Sequence, residues 1–291
     1  MKTISLTLLF GFFLNSCISD KNLNTIQFDT ESKDSSLCDF IFPNPETNSD
    51  LQKLKMNYNL DKLVNHAKSD LEKALILLNW TNNRWEHNGF NKPQNYDAIS
   101  ILKEAKEGKR FRCVEYGIVL SATLNSIGIP TRTLGLKTKD VETRKYGAGH
   151  VVSEAYIPEL KKWVFMDGQI NYIPFLNNTP LNAVEYLNAI INHRDQIELK
   201  NVNGTFDRKK TKKKIEWVAE YLFYFNTKFD SSGKRTKCMG KSNLMLVPLN
   251  EKNPKIFQIN NKIDYCIYTN NIKDFYKEPK IQHSVGININ Q

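Results

Sequence analysis

The sequence predicts an α+β fold in which one helix packs on an antiparallel sheet. Residues 113–127 (CVEYGIVLSATLNSI) have helical length, and Gly128 followed by Pro130 is a typical stop. Downstream, HVVSEAYI and KWVFMD are rich in β-forming residues and flank IPELK as a turn, which predicts a hairpin. The helix begins at Cys113, the first strand at His150, and the second strand ends at Asp167.

The predicted helix places Cys113 in its first turn. The unpaired backbone N–H groups and the positive end of the helix dipole favour a thiolate there. Three basic residues just upstream act in the same direction: Lys109, Arg110 and Arg112. Gly117 and Ser121 lie four residues apart and give the helix one small face for close backbone approach. The alternative is a buried structural cysteine, a common fate of a free thiol.

The predicted hairpin brings His150 towards Asp167. If the hairpin is symmetric about the Pro158–Glu159 bond, Val152 faces Phe165 and His150 faces Asp167. Directly opposed side chains have Cβ atoms about 4.5–5.5 Å apart, which lets a carboxylate reach an imidazole. A one-residue slip would separate them onto opposite faces. Taken singly, His150 could be a surface histidine in a glycine-rich loop, and Asp167 a turn-forming aspartate.

These segments, in this order, resemble the transglutaminase-like superfamily, whose core is similar to that of papain-like cysteine proteases. The pattern is a cysteine at a helix start, a His-x-x-x-Glu strand and a Trp-x-x-x-Asp strand, and the resemblance covers residues 71–168. It includes the segment 97–108 before the cysteine and the run GIPTR at 128–132 after it. Many members carry tryptophan two residues after the histidine, where this chain has Val152.

The resemblance implies a role for each residue. Cys113 would be the nucleophile, His150 the general base and acid, and Asp167 the group that orients the imidazole. Glu154 matches a recurrent acidic position four residues after the histidine, and we expect it and Arg112 to support the site. The resemblance implies no cofactor and no metal, and the chain has no zinc-type Cys/His spacing.

The expected chemistry is attack of a thiolate on an amide or peptide carbonyl through a thioester intermediate. We expect a hydrolase, a cysteine peptidase or amidase with a protein or peptide substrate, since the chain lacks the acidic clusters of a calcium-regulated cross-linker. The alternatives are an amide-transferring transglutaminase and a catalytically inactive binding module on the same fold.

The N-terminus predicts export and a lipid anchor. One basic residue precedes an apolar run at 4–14, which is too short to span a bilayer and is typical of a signal peptide. The ending Leu-Asn-Ser-Cys resembles a bacterial lipoprotein signal, so that residues 1–17 would end at a lipidated Cys17 in the cell envelope. Ordinary signal cleavage nearby is the alternative. Residues 18–50 are rich in Ser, Asn, Asp and Lys and predict a tether, apart from the apolar island 37–42.

Composition predicts a globular remainder. The chain has 291 residues, 40% hydrophobic, and a net charge of +10. Residues 51–200 would form the catalytic domain, with predicted helices at 70–85 and 181–191, and 201–291 a β-rich extension of unknown role. Helix and strand compete over 215–229. The basic run 208–214 is typical of a solvated loop or helix start, and no nucleic-acid module is present.

The remaining cysteines are Cys38, Cys238 and Cys266. In an exported protein, a disulfide between Cys238 and Cys266 on neighbouring strands is one option. Because the number is odd, sequence alone does not fix the pairing.

Overall fold

The computed structural model describes residues 26–31 and 37–279. Its helices are α1 (Ser49–Asn57), α2 (Leu60–Val64), α3 (Asp70–Asn82), α4 (Ala98–Lys106), α5 (Cys113–Ser126), α6 (Ala183–Asn192), α7 (Arg208–Ala219) and α8 (Ile272–Phe275). Its strands are β1 (Thr131–Lys137), β2 (Gly149–Ile157), β3 (Lys162–Met166), β4 (Ile173–Leu176), β5 (Thr179–Pro180), β6 (Glu198–Asn201), β7 (Gly204–Thr205), β8 (Tyr224–Lys228), β9 (Asn243–Leu246), β10 (Ile256–Phe257), β11 (Asn261–Lys262) and β12 (Cys266–Thr269).

A six-stranded sheet organises the molecule, in the order β12-β9-β8-β1-β2-β3. The β12–β9 pair is parallel and the other four pairs are antiparallel. Helix α5 packs on one face, and a core that includes α7 forms on the other. A second sheet, β5-β4-β6-β7, and the small β10–β11 pair complete the strands. The predicted α+β class, with the Cys113 helix on an antiparallel sheet, is confirmed.

Helix α5 approaches the sheet closely because Gly117 faces it. A Cβ added at Gly117 would lie 2.9 Å from Val151 Cγ1 and 3.3 Å from the Val152 carbonyl oxygen, so a larger residue would force the helix away. One turn later, Ser121 Oγ lies 3.1 Å from Ser153 Oγ, and Ser153 Oγ also donates to the Gly117 carbonyl. The small face predicted from the sequence therefore fixes helix α5 against β2.

The β2–β3 hairpin differs from its predicted register. Glu154 pairs with Phe165, and Tyr156 pairs with Trp163. The connection is a short 3₁₀ helix, Pro158–Leu160, followed by Lys161 at φ +49°. This turn moves the hairpin centre from the Pro158–Glu159 bond to the next bond, so each residue pairs two positions further along than predicted. Because the shift is even, His150 and Asp167 still belong to the same face.

Part of the predicted tether belongs to the folded body. Phe28, Phe40 and Phe42 are buried in the main core, and Ile41 bridges to Asp230 through backbone hydrogen bonds. A free tether is therefore wrong for residues 26–31, since Ile26 and Phe28 enter the core, while Phe40 and Phe42 belong to the apolar island that the prediction set apart. The predicted signal peptide, including Cys17, lies outside the described residues.

The disulfide prediction is also corrected. Cys238 is bonded to Cys38, 200 residues away, and not to Cys266. Cys266 is a free, buried thiol on β12. The bond ties the apolar N-terminal segment to the loop between β8 and β9, a tertiary juxtaposition that local strand order does not encode.

The C-terminal residues extend the same sheet that contains β1, β2 and β3. Strand β8 pairs with β1, and β9 and β12 add beyond it, so the boundary predicted at residue 200 does not follow the sheet. The ambiguous stretch 215–229 contains both structures, the end of α7 and then β8. Within the described part of the chain, no helix combines the length and the hydropathy needed to cross a lipid bilayer.

Candidate active site

Cys113 is the first residue of α5 and its thiol is free and half-buried. Helices begin with backbone N–H groups that have no partner within the helix. These donors and the helix dipole surround the Cys113 position with positive potential. The thiol is therefore placed where a negative charge on sulfur, or on a nearby oxyanion, is stabilised.

The basic residues before Cys113 contribute less than the sequence suggested, because each has a carboxylate partner. Lys109 pairs with Glu104, and Arg110 pairs with Glu86. Arg112 holds the fully buried Glu115 through Nε and Nη2, and Glu115 also accepts from the Arg112 backbone N–H at 3.0 Å. Arg112 thus fixes the start of α5, and its charge is balanced within the helix.

His150 and Asp167 meet as expected, despite the corrected register. His150 Nε2 lies 2.9 Å from Asp167 Oδ2, and both side chains are buried, with 3% and 0% exposure. The Cys113 side chain lies close enough to contribute to the raised pKa of His150. Since Nε2 is occupied by the carboxylate, Nδ1 is the ring nitrogen left for the sulfur. The structure therefore brings Cys113, His150 and Asp167 together in one site.

Asp167 is held rigidly by the turn that follows β3. Its Oδ1 accepts from the backbone N–H groups of Gln169 and Ile170, each at 3.0 Å, which leaves Oδ2 for the imidazole. Helix α3 holds this turn from the other side, since Asn82 Nδ2 donates to the carbonyl oxygens of Gly168 and Gln169 at 3.1 and 2.8 Å. Asn82 is a positioning residue that the sequence did not reveal.

The surroundings of His150 favour its protonated form. Burial alone would lower the pKa of His150, but the Asp167 carboxylate and the Cys113 side chain outweigh it and raise the pKa to about 10. The imidazole can therefore hold a proton for a leaving group beside the Cys113 sulfur.

Two aromatic rings cover the imidazole, Trp217 from α7 and Tyr221 from the turn that follows it. The Trp217 ring meets His150 edge-on at 4.8 Å between centroids, and Tyr221 lies at 5.9 Å. The two rings also contact each other at 5.1 Å. The sequence analysis assigned neither residue to the site, because only the end of α7 and the turn after it bring them to His150.

His87 also lies near the site. Its segment runs beside the residues before Cys113, with a His87–Phe111 bridge and the Asn88 N–H donating to the Phe111 carbonyl at 2.8 Å. Burial lowers the pKa of His87, and the charge of His150 lowers it further while Asp167 opposes this. The sequence gave no reason to distinguish His87 from a structural histidine.

The Glu154 carboxylate forms an ion pair with Arg132. Its Oε2 accepts from Arg132 Nε and Nη2 at 3.2 and 2.7 Å, while Oε1 accepts from the Ala183 N–H and the Tyr276 hydroxyl, each at 2.9 Å. All its described contacts lie away from Cys113 and Asp167. The expected supporting role is therefore one in the packing around β2, and no direct contact links Glu154 to the thiol–imidazole pair.

Across residues 26–31 and 37–279, no group of three or more His, Cys, Asp or Glu side chains is arranged to hold a metal ion.

Comparisons with known proteins bear on the same segment. Three solved structures share parts of the fold. A candidate cysteine protease from Cytophaga hutchinsonii is 18% identical with a TM-score of 0.35, and the match covers 49% of this chain and 46% of that one. A candidate protease from Parabacteroides distasonis is 13% identical with a TM-score of 0.31, covering 56% and 28%. Red sea bream transglutaminase is 11% identical with a TM-score of 0.30, covering 63% and 44%.

This chain thus spans less than half of each of these structures. No curated protein matches the sequence. The family model of the transglutaminase-like superfamily matches residues 59–168, the segment that runs from α2 to the turn after β3 and contains Cys113, His150 and Asp167. That segment, 110 of the 291 residues, is the part of the chain that is similar to the transglutaminase-like superfamily.

Proposed function

We propose that this protein is a thiol enzyme that hydrolyses an amide or peptide bond through Cys113, His150 and Asp167. The observation that carries the proposal is a half-buried thiol near a buried imidazole, which contacts a buried carboxylate that is fixed by two backbone N–H groups. A buried structural cysteine would need neither a histidine nor this orientation.

In the first half-reaction, the Cys113 thiolate attacks the carbonyl carbon and forms a carbon–sulfur bond. Backbone donors at the start of α5 are suited to hold the oxyanion. The carbon–nitrogen bond then breaks, and His150 gives the proton on Nδ1 to the departing amine. Asp167 stays ionised and keeps the imidazole in the orientation that presents Nδ1 to sulfur. The product of this half-reaction is a thioester and a free amine.

In the second half-reaction, neutral His150 takes a proton from water as the water oxygen attacks the thioester. The carbon–sulfur bond breaks, a carboxylic acid leaves, and the thiolate–imidazolium pair is restored. A primary amine in place of water would give a new amide, which is the transglutaminase outcome. The competition between water and amine decides between the two activities.

Peptide-library profiling with and without a primary amine tests the proposal. We expect cleavage products with free carboxylates, and a thioester adduct of the acyl group on Cys113 by mass spectrometry. Cys113→Ala should abolish both. The chain offers a matched control, because Cys266 is the other free cysteine among the described residues. Cys266→Ala should retain turnover.

Amide products that dominate over acids when amine is added would replace hydrolysis by acyl transfer. An absence of both products and of any thioester on Cys113 would overturn the enzymatic proposal and leave a binding module.

We further propose that the protein is exported and held on a bacterial membrane by a lipid at Cys17. The lipoprotein-like ending at Cys17 motivates this, and the Cys38–Cys238 disulfide supports an oxidising compartment. Wild type should fractionate with membranes, and Cys17→Ala should release it into the soluble fraction. Membrane association and mass that stay unchanged in Cys17→Ala would contradict the anchor.

A further inference from the structure

A cavity of about 560 Å³ lies beside the nucleophile helix, and its floor is unusually polar. Four alternate residues of β1 line it: Thr131, Thr133, Gly135 and Lys137. A sheet face that only supported a helix would carry apolar residues at such positions. The opposite wall is apolar, with Val114 and Ile118 from α5 and Leu51 and Leu54 from α1. The volume and this mixture are typical of a small-ligand site.

Lys137 gives the cavity a specific chemistry. Its side chain is only 6% exposed, and its Nζ donates to Asn226 Oδ1 and lies over the Phe257 ring at 5.9 Å. Gly135 makes room for this arrangement, since a Cβ there would lie 2.5 Å from Asn226 Oδ1. An ammonium has three donors and one charge, whereas a carboxamide oxygen supplies one acceptor and no charge.

No described residue supplies the missing negative charge. The three carboxylates that line the cavity have other partners: Asp50 pairs with Lys53, Asp97 accepts from the Ser100 N–H, and Asp230 accepts from the N–H groups of Ser232 and Thr236. Cys266 is close to Lys137, but burial raises the pKa of the Cys266 thiol to about 11, so it stays uncharged near neutral pH. A buried cation without a counter-charge is costly, and an anionic ligand would relieve that cost.

The cavity shares structural elements with the candidate active site, although Cys113, His150 and Asp167 are not among its lining residues. Val114 directly follows Cys113, and Lys137 pairs across the strands with Gly149, which precedes His150. A ligand in this cavity therefore lies along the elements that carry the thiol and the imidazole.

We propose that the cavity binds the C-terminal end of a peptide substrate, with the terminal carboxylate paired to the Lys137 ammonium. The inference rests on the proposed function for the reaction itself, and it adds the substrate class: a peptide with a free C-terminus close to the bond that is cleaved. Charge-assisted hydrogen bonds to a carboxylate add selectivity against the neutral amide.

The test separates binding from turnover. The full chain carrying Cys113→Ala is titrated with a pool of tripeptides that end in a free carboxylate, and with the same pool ending in an amide, by ligand-observed NMR. We expect the acids to bind at least about tenfold more tightly than the amides. Adding Lys137→Met should remove that preference. Lys228→Met is the matched control, because Lys228 lines the same cavity but is exposed, and it should keep the preference.

Lys137→Met nearly preserves side-chain length and removes a buried charge, so the variant should melt at or above the wild-type temperature, which excludes unfolding as the cause. Equal binding of acids and amides, a preference that survives Lys137→Met, or no binding of either pool would each overturn the inference. Wild-type turnover is measured separately on both pools. Equal cleavage of amidated peptides would leave the proposed hydrolase standing while this inference fails, and no cleavage at all would count against the hydrolase alone.

Discussion

Strand β2 carries two buried ion pairs four residues apart, and they are built in opposite ways. Arg132 and Glu154 are both fully buried and face each other across β1 and β2. Every charged atom of this pair is used: Arg132 Nη1 donates to the Phe275 carbonyl at 2.8 Å, and the guanidinium lies within 5.2 Å of four aromatic rings. His150 and Asp167 are equally buried, but one imidazole nitrogen is left for the half-buried Cys113.

The difference separates an ion pair that holds the fold from one that can react. The Arg132–Glu154 pair joins the N-terminal segment at Phe40, strand β2, helix α6 and the C-terminal segment at Tyr276. Both side chains are fully buried, so the pair is not accessible to a substrate. The His150–Asp167 pair is closed on the carboxylate side and open on the thiol side, so its proton can move only towards sulfur and whatever sulfur attacks.

The largest effect should come from Asp167→Asn, which removes the charge from the His150–Asp167 pair and keeps a side chain of nearly the same shape. The backbone N–H groups of Gln169 and Ile170 need an oxygen at Oδ1, so the new amide nitrogen must face His150 Nε2. Nε2 then becomes the acceptor and Nδ1 carries the proton, which is the tautomer that cannot accept a proton from the thiol. We expect kcat to fall by about 10⁴, as in the serine-protease analogue, with little change in KM.

The same variant has a pH readout. The Asp167 charge is what outweighs burial in raising the pKa of His150, so the alkaline limb of kcat/KM should move to lower pH in Asp167→Asn. Unfolding in urea should remain cooperative. Turnover near the wild-type rate would remove Asp167 from the mechanism.

Glu154→Gln tests the Arg132–Glu154 ion pair. We expect this variant to lose stability and not activity. Arg132 would remain buried with its charge uncompensated, which costs about 3–5 kcal/mol of unfolding free energy. Replacing both partners, as Arg132→Met with Glu154→Leu, should cost less because no isolated charge remains. Urea denaturation of the two variants measures this. If Glu154→Gln were as stable as wild type and instead lost activity, Glu154 would belong to the active site after all.

Local sequence patterns predicted the elements of the site but not all of its contacts. Helix α5, its small face at Gly117 and the order of Cys113, His150 and Asp167 follow from spacing and composition over short stretches. The hairpin register depended on the conformation of the turn, where Lys161 adopts a positive φ. The parity of the shift preserved the pairing of His150 with Asp167.

Contacts between distant segments were not accessible in that way. The Cys38–Cys238 bond spans 200 residues, and Trp217 reaches His150 from a helix 67 positions later in the chain. The basic residues before Cys113 looked free because their partners, such as Glu86 for Arg110, lie in other segments. Charge in a sequence indicates where cations are, whereas their effect depends on which carboxylates the fold brings to them.

Lys137 adds a third buried charge to the comparison, one without a charged partner. Burial lowers the pKa of Lys137 to about 8, below its ordinary 10.5. Between these values the unfolded chain holds a proton that the folded one has released, so stability should rise with pH through this window, by about 3 kcal/mol in total. Lys137→Met should lack this component. The measurement is urea denaturation of both proteins from pH 7.5 to 10.5.

The quantity to compare is the difference in unfolding free energy between wild type and Lys137→Met. The difference is needed because the titration of His150 changes stability in the opposite direction. Its raised pKa contributes stability below pH 6.5 that is lost as the pH rises through about 10, and this contribution is common to wild type and Lys137→Met. A difference that does not change between pH 7.5 and 10.5 would show that Lys137 is not held in a low-dielectric site.

The smallest expected effect concerns Trp217, which packs on the solvent-facing side of the His150–Asp167 pair. Trp217 is 36% exposed, yet its ring meets the His150 imidazole edge-on, so it can hold the ring in the plane that serves both Asp167 and Cys113. An aromatic pair of this kind contributes about 0.5–1.5 kcal/mol, so Trp217→Ala should lower kcat by up to about tenfold. Trp217→Phe keeps an aromatic edge and should recover most of that loss.

Because the proposed effect of Trp217 acts on the imidazole, KM should change less than kcat. Iodoacetamide should also alkylate Cys113 more slowly in Trp217→Ala at a pH where free thiols react poorly. A rise in KM alone, with normal alkylation, would instead make Trp217 a wall of the substrate cleft and leave His150 positioned by Asp167 without its help.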